Sequence, residues 1–172
     1  MAVASREMHD LARETGETVQ ICARDDDMMT VVAMARGDRH MGVASDVGTR
    51  VPLNWTASGR LLLGHLPGDD RREFFASHAR PSTTALAETD PVALSRMAGE
   101  EFDARLAVQM SASEYAVACI AAPIRDIGDT CIATISIVLP ESVARAELSR
   151  MAQAVRGAAS RIETALGRAS LD

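Results

Sequence analysis

Two pairs of alternating apolar runs, one near each end of the chain, most strongly constrain its fold. Residues 17–24 alternate apolar and polar side chains, and three consecutive aspartates separate them from a second run at residues 28–35. Residues 115–124 and 130–139 form the second pair around a short turn that contains glycine. Alternation with period 2 indicates strands, and short polar connections indicate hairpins. The chain is therefore expected to contain two β-hairpins.

Helical patterns surround these hairpins. Residues 3–13, 56–66 and 91–105 show helical spacing, and Asp90 followed by Pro91 is a favourable helix start. A further short helix is expected after Asp69 as its N-cap, and residues 41–45 are expected to add a short strand. A long amphipathic helix is predicted after Pro140. Its apolar stripe consists of Leu148, Met151, Val155, Ala159, Ile162 and Leu166. This order predicts an α+β fold with a mainly antiparallel sheet and helices packed against it.

Length and charge limit the number of domains and the classes of partner. The 172 residues suit one domain, and 47% hydrophobic residues are enough to build its core. The net charge of −6 argues against DNA binding by this chain and against docking on an anionic membrane. The charged residues near the N-terminus do not resemble a signal peptide, and three cysteines without paired spacing favour free thiols in the cytoplasm.

Three stretches resemble the effector-binding domain of IclR-type transcription regulators. They are LARETGETV at residues 11–19, VGTRVPL at 47–53 with TASGR at 56–60, and CIAAPIRD at 119–126 with IATISI at 132–137. The resemblance covers residues 11–166. It implies a GAF-like or profilin-like fold, in which a curved antiparallel sheet carries helices. It also implies that residues 1–172 form one effector-binding domain, which assembles as a homodimer or homotetramer.

The same resemblance implies a division of labour in the complete regulator. Members of this family carry a winged helix-turn-helix domain before the effector domain, and this chain begins almost at the effector domain. DNA would therefore be bound only through an N-terminal domain absent here. Whether the chain is an excised domain or a free-standing sensor stays open at this point.

The segment at residues 54–59 is the first candidate for a ligand site. Small residues lead directly into a helix, whose first N–H groups lack internal partners and attract a carboxylate. Read from the residues alone, the segment could equally be an ordinary capped helix. The resemblance implies that Ala57 and Ser58 contact a small organic-acid effector. Trp55, beside them, could line the pocket or fill the core, and the same alternatives apply to Val43.

The last hairpin supplies the other candidates. The resemblance implies that Cys119 and Ser136 line the floor of the pocket, although each could also be an ordinary buried strand residue. Gln109 stands where the family often has an acidic residue, and Val138 stands where it often has a serine. These departures make the pocket less charged. We therefore expect an organic acid with one carboxylate and an apolar, even aromatic, body.

The sequence offers little support for catalysis. It contains no glycine-rich phosphate-binding motif, and its histidines lack the spacing of metal ligands, so no cofactor and no metal are expected. The best enzyme hypothesis makes Cys119 a nucleophile, but its apolar neighbours would raise the pKa of the thiol and make it inert. The chain is therefore not expected to be an enzyme. The alternative is a stand-alone GAF-like binding protein, or a small enzyme that uses Cys119.

Overall fold

The computed structural model describes residues 2–39, 45–110 and 117–168 of the chain. Helices and strands alternate along these residues in a mixed order, which confirms the predicted α+β class. The elements are α1 (Ala2–Thr15), β1 (Thr18–Asp25), β2 (Met28–Ala35), β3 (Arg50–Pro52), α2 (Ala57–Leu63), α3 (Gly68–His78), α4 (Pro91–Asp103), β4 (Ala107–Gln109), β5 (Val117–Arg125), β6 (Cys131–Pro140) and α5 (Glu141–Ala165).

The strands form one antiparallel sheet with the order β3-β2-β1-β6-β5-β4. Both predicted hairpins, β1–β2 and β5–β6, are confirmed. They are joined at the centre of the sheet by the pairing of β1 with β6, where Ile21 lies opposite Ile135. The edge strands β3 and β4 were not predicted, because three residues are too few to show an alternating pattern.

One face of the sheet is covered by α1 and α5, and we call it the closed face. It is formed by Val19 and Ile21 of β1, Ile120 of β5, and Ile135 and Ile137 of β6, none of them more than 7% exposed. Successive side chains of a strand point to opposite faces, so the branched aliphatic residues at every second position form this layer.

The long helix α5 lies on the closed face and confirms the helix predicted after Pro140. The middle of its predicted stripe, from Met151 to Ile162, is buried. Leu148 and Leu166, at the two ends of the stripe, are 37% and 47% exposed. Glu147 has non-helical backbone angles, which places a kink near the start of the helix. The sheet is therefore covered by the central turns of α5.

The opposite face of the sheet packs against α2, with α4 behind it and α3 against α4. We call it the cavity face and define it by Gln20 and Cys22 of β1, Thr134 and Ser136 of β6, and Cys119 of β5, which point away from the closed face. Helix α2 fills much of this layer through Leu61, Leu62 and Leu63, which are 1% exposed or less.

The predicted helix starts were right in one case and wrong in another. Asp90 caps α4, and its carboxylate accepts a hydrogen bond from the Ala93 amide at 2.8 Å. Asp69 does not cap α3, because Pro67 occupies the N-cap position and the helix begins one residue before Asp69. The Asp69 carboxylate lies in the first turn instead, where the helix dipole favours a negative charge.

Some predicted segments differ in extent or lie outside the described residues. The helix predicted at residues 56–66 is shorter, with Thr56 as its cap and Gly64 as its end. Most of the strand predicted at 41–45 and the first two residues of the run at 115–124 lie outside the described part of the chain. Within the described part, no helix combines the length and apolar character needed to cross a membrane.

Candidate functional site

A cavity of about 210 Å³ lies between the start of α2 and the cavity face of the sheet. Its walls are mostly apolar and come from several elements. Met29 and Val31 of β2, Val51 of β3, Val138 of β6 and the indole of Trp55 supply the larger apolar surfaces. A mostly apolar cavity of this size, partly open to solvent, is the default candidate for a ligand site.

Five of the eight residues predicted for the site line this cavity. They are Trp55, Ser58, Gln109, Cys119 and Val138. The structure therefore brings together side chains from the segment before α2, α2 itself, β4, β5 and β6, which are up to 83 residues apart in sequence. Whether these residues bind a ligand stays a prediction.

Two predicted residues are not part of the cavity surface, and a third lies outside the described residues. Ala57 and Ser136 are fully buried in its neighbourhood, at 0% exposure, but are not part of its surface. Val43 lies outside the described residues. Ser136 lies opposite Gln20 of β1 and Ala121 of β5 in the sheet, and its side chain is buried near the Cys22 and Cys119 thiols.

The start of α2 is fixed by a cap and a close backbone contact. Thr56 is extended, and its hydroxyl oxygen accepts a hydrogen bond from the Gly59 amide at 2.9 Å. A side chain at Gly59 would collide with the Leu53 carbonyl, because a Cβ atom there would lie 2.2 Å from the carbonyl oxygen. Glycine thus lets the helix begin directly on the preceding turn. The amides of Ala57 and Ser58 precede the first intrahelical hydrogen bond.

Ser58 supplies the polar group of this segment. Its side chain is buried, and its hydroxyl oxygen has no nitrogen or oxygen partner among the described residues; only the Cys22 and Cys119 thiols, which are weak hydrogen-bond partners, lie beside it. Its backbone amide and hydroxyl both favour the thiolate form of Cys119, so they lie close to that thiol. A buried hydroxyl without a partner costs free energy, and such groups in native proteins need an explanation. A ligand that accepts a hydrogen bond in the cavity would provide one.

The two cavity thiols are held in the protonated form. Burial raises the pKa of Cys22 to about 12, although the nearby hydroxyls of Ser58, Thr134 and Ser136 act in the opposite direction. Burial also raises the pKa of Cys119, against the lowering effect of the Ser136 and Ser58 groups and of the Arg60 charge. A neutral thiol is a poor nucleophile, which weighs against the hypothesis of Cys119 as a catalytic group.

A buried arginine lies beside the cavity and was not predicted. Arg60 of α2 is 2% exposed, and its Nε and Nη2 atoms donate to the two oxygens of the Glu101 carboxylate, each at 2.8 Å. Its Nη1 atom donates to the side-chain oxygen of Gln109. The sequence gives little sign of this role, because an arginine at the fourth position of a short helix is usually exposed.

Gln20 and Cys22 were also missed as cavity residues. The alternation of β1 already places Gln20 and Cys22 on the same side of the strand, so a signal for them was present in the sequence. The Gln20 amide nitrogen donates to the Ser45 hydroxyl at 2.6 Å, and Ser45 also lines the cavity. The described residues contain no cluster of three or more His, Cys, Asp or Glu side chains that could hold a metal ion.

A curved antiparallel sheet with flanking helices and a mostly apolar cavity defines an α+β domain of the kind that can hold a small molecule. The family model described as "Bacterial transcriptional regulator IclR C-terminal" matches residues 1–164. The chain therefore belongs to the IclR C-terminal family.

Curated relatives and solved structures agree with this assignment. The "HTH-type transcriptional regulator KdgR" of Escherichia coli (strain K12) is 26% identical over 137 residues, covering 80% of this chain and 52% of KdgR. The chain spans a little over half the length of the curated relatives it matches. These relatives are named as transcriptional regulators or repressors.

Two solved structures show the similarity of the fold. The transcriptional regulator YaiJ has a TM-score of 0.88 at 23% identity, over 96% of this chain and 94% of that one. An IclR homologue from Microbacterium hydrocarbonoxydans, complexed with 4-hydroxybenzoate, has a TM-score of 0.83 at 26% identity, over 96% of this chain and 67% of that one. The predicted fold and family are thereby confirmed.

Proposed function

We propose that this chain is the ligand-sensing domain of a transcription regulator, and that its cavity binds a small organic acid with an apolar, aromatic body. The observation that carries the proposal is a buried hydrogen-bond donor, the Ser58 hydroxyl, on the wall of a mostly apolar cavity. It has no nitrogen or oxygen partner among the described residues, and the Cys22 and Cys119 thiols beside it are weak hydrogen-bond partners. Donors of this kind suit a carboxylate.

The size and walls of the cavity support an aromatic body. An apolar cavity of roughly 150 Å³ is enough for benzene, and this one measures about 210 Å³. Met29, Val51 and Trp55 offer the apolar surfaces that a ring would contact. The similar regulator complexed with 4-hydroxybenzoate shows that one relative takes an acid of this class. A small keto acid would leave much of the apolar surface without contacts.

Regulation would follow from a difference in ligand affinity between two arrangements of the full regulator. A coupling free energy of about 1–3 kcal/mol is sufficient for such control. The net charge of −6 makes this domain a poor DNA-binding surface, so DNA would be bound by an N-terminal winged helix-turn-helix domain of the complete protein. We include in the proposal a homodimer or homotetramer that acts in the cytoplasm.

A thermal-denaturation panel tests the proposal. Benzoate and 4-hydroxybenzoate, at about 100 times their dissociation constants, should raise the free energy of unfolding by about 2.7 kcal/mol. Glyoxylate and pyruvate serve as the small comparison acids. Stabilisation by these two alone, or by none of the four acids, would overturn the proposal.

A matched pair of serine variants locates the site. Ser58→Ala removes the unpartnered cavity hydroxyl and should weaken benzoate binding by about tenfold, because a hydrogen bond to a charged group is lost. Ser77→Ala changes an exposed serine of α3, whose hydroxyl donates to the Glu73 carbonyl, and should leave the affinity unchanged. Equal benzoate affinity in the two variants would place the acid elsewhere.

A further inference from the structure

Three arginines converge on one carboxylate near the end of α5. The Glu163 Oε2 atom lies 2.7 Å from Arg105 Nη2 and 3.3 Å from Arg125 Nη2. Arg168 Nε lies 3.9 Å from the same oxygen. Arg125 is the last residue of β5, about 20 Å along the strand from the cavity residue Cys119. The arginine cluster is therefore separate from the cavity.

A second carboxylate, that of Asp129, is shared by two of these arginines. Its Oδ1 atom accepts hydrogen bonds from Arg125 Nη1 at 3.1 Å and from Arg168 Nη2 at 3.0 Å. Asp129 is 57% exposed, so solvent weakens its attraction for both cations. The Asp126 carboxylate accepts a hydrogen bond from the Gly128 amide within the same turn. Of the described carboxylates that contact the three guanidinium groups, only one is therefore buried.

A fourth arginine extends the positive charge to the surface. Arg156 of α5 is exposed, and its Nη2 atom donates to the Ala104 carbonyl at 3.0 Å. Burial lowers the pKa of Arg105, and the three neighbouring arginines lower it further, against the opposite effect of the buried carboxylate. Four guanidinium groups thus share two carboxylates, although the chain as a whole carries a net charge of −6.

Arg105 has hydrogen-bonding capacity left over. Its Nη2 atom donates to Glu163, but its Nε atom is buried and has no partner among the described residues. Its backbone φ is 55°, and such left-handed angles in non-glycine residues often accompany a functional role. The side chains of Arg105 and Arg168 are 23% and 19% exposed. A small anion can therefore reach the edge of the cluster from solvent.

We propose that Arg105, Arg156 and Arg168 form an anion site, separate from the cavity, that binds the doubly charged oxyanion of inorganic phosphate or of a phosphoryl group. Guanidinium groups match phosphate oxygens with forked, charge-assisted hydrogen bonds. A dianion would offset the excess of positive charge in the cluster. Since Arg105 follows α4 and Arg156 lies on α5, the bound ion would also join these two helices. This inference is independent of the proposed function of the cavity.

Titration calorimetry with inorganic phosphate at low ionic strength tests the site on the whole chain. Arg156→Gln removes the most exposed cation and should weaken phosphate binding by about tenfold, because a charge-assisted contact is lost. Arg145→Gln makes the same chemical change at an exposed position of the same helix and should leave the affinity unchanged. Equal phosphate affinity in the two variants would overturn the inference, as would a wild type that binds no phosphate.

Asp129→Asn tests the same site in the opposite direction. The change removes a negative charge next to the cluster, and asparagine tolerates the left-handed backbone of this position. Phosphate affinity should therefore rise by about tenfold. A purely structural role for the arginines would shift the thermal midpoint of Asp129→Asn and leave its phosphate affinity as in the wild type, which would contradict the proposal.

Two further ligands identify the anion. If glycerol 3-phosphate binds at least as tightly as inorganic phosphate, and Arg156→Gln weakens both, the site takes a phosphoryl group. If inorganic phosphate alone binds, the site takes the free ion. Acetate carries a single charge and should bind more weakly than either. Acetate binding as tight as that of phosphate would count against the proposal, because the site would then not select a doubly charged oxyanion.

Discussion

The two faces of the central sheet are built from the same strands and differ sharply in what they bury. On the closed face, β1 and β6 contribute Val19, Ile21, Ile135 and Ile137, and the helices α1 and α5 cover them. These side chains are branched, apolar and almost completely removed from solvent. Close packing of this kind supplies much of the stability of a domain of this size.

The cavity face places small or polar side chains at the alternate positions of these strands. Gln20, Cys22, Thr134 and Ser136 are each 5% exposed or less, yet the hydroxyls of Thr134 and Ser136 have no nitrogen or oxygen partner among the described residues and meet only cysteine thiols, which are weak hydrogen-bond partners. Small side chains leave space beneath α2, and unpartnered hydroxyls reduce the stability of the empty domain. The comparison indicates that one face provides stability, and that the other gives up some of it to make room for a ligand.

The largest expected effect comes from removing the charge of Glu163, which joins α5 to Arg105 and Arg125. Glu163 of α5 is 4% exposed and accepts hydrogen bonds from the Arg125 amide and Nε, both at 2.9 Å, and from Arg105 Nη2 at 2.7 Å. Glu163→Gln removes the charge that these arginines share. We expect the free energy of unfolding, measured by urea denaturation, to fall by about 3 kcal/mol, because the buried Arg125 keeps only the more exposed Asp129 as a counter-charge.

Glu100→Gln is the matched control for that variant. Glu100 pairs with Arg96 along α4, and both side chains are 64% exposed. Exposed pairs contribute little, so the change should stay within about 0.5 kcal/mol. Similar decreases in the free energy of unfolding of the two variants would show that the buried contacts of Glu163 contribute no more than an exposed ion pair.

The closed face could be predicted largely from the sequence, whereas the polar network of the cavity could not. The alternation in β1 and β6 predicted both hairpins, and the apolar stripe from Met151 to Ile162 predicted the long helix. Both predictions were possible because a repeating pattern extends over many residues. The contact of Arg60 with Glu101 and Gln109 joins residues 41 and 49 positions apart. No local pattern encodes such a contact, since it depends on how α2 and α4 pack.

The candidate site falls between these two cases. Ser58 and Cys119 were selected through the family resemblance, and they line the cavity because the start of α2 and strand β5 face each other across it. Ser136 was selected in the same way, yet its side chain lies behind the cavity surface. Spacing along β6 gives the face of the sheet on which a residue lies. It does not give the depth of the cavity at that point.

A smaller effect, of opposite sign, is expected on the cavity face. Thr134 is 0% exposed, and its hydroxyl has no nitrogen or oxygen partner among the described residues and meets only the Cys22 thiol, which is a weak hydrogen-bond partner. Thr134→Val replaces this hydroxyl by a methyl group of similar size, so the desolvation cost disappears. We expect urea denaturation to show a gain of about 1 kcal/mol in the free energy of unfolding. A loss of that size would mean that the hydroxyl makes a stabilising contact, and the contrast between the faces would weaken.

The smallest expected effect concerns the protonation of Cys22 on the cavity face. Burial raises the pKa of this thiol from 9.0 to about 12, so the folded chain holds the proton more tightly than the unfolded chain. The resulting stability is present at neutral pH and is lost progressively as the pH rises through 9 towards 12.

Cys22→Ser removes this titration. Between pH 7 and pH 9 the wild type should therefore lose more stability than Cys22→Ser, by less than about 1 kcal/mol, measured by urea denaturation at both pH values. Identical pH dependence in the two proteins would mean that the thiol is not held in an apolar environment, and the cavity face would then be wetter than its side chains indicate.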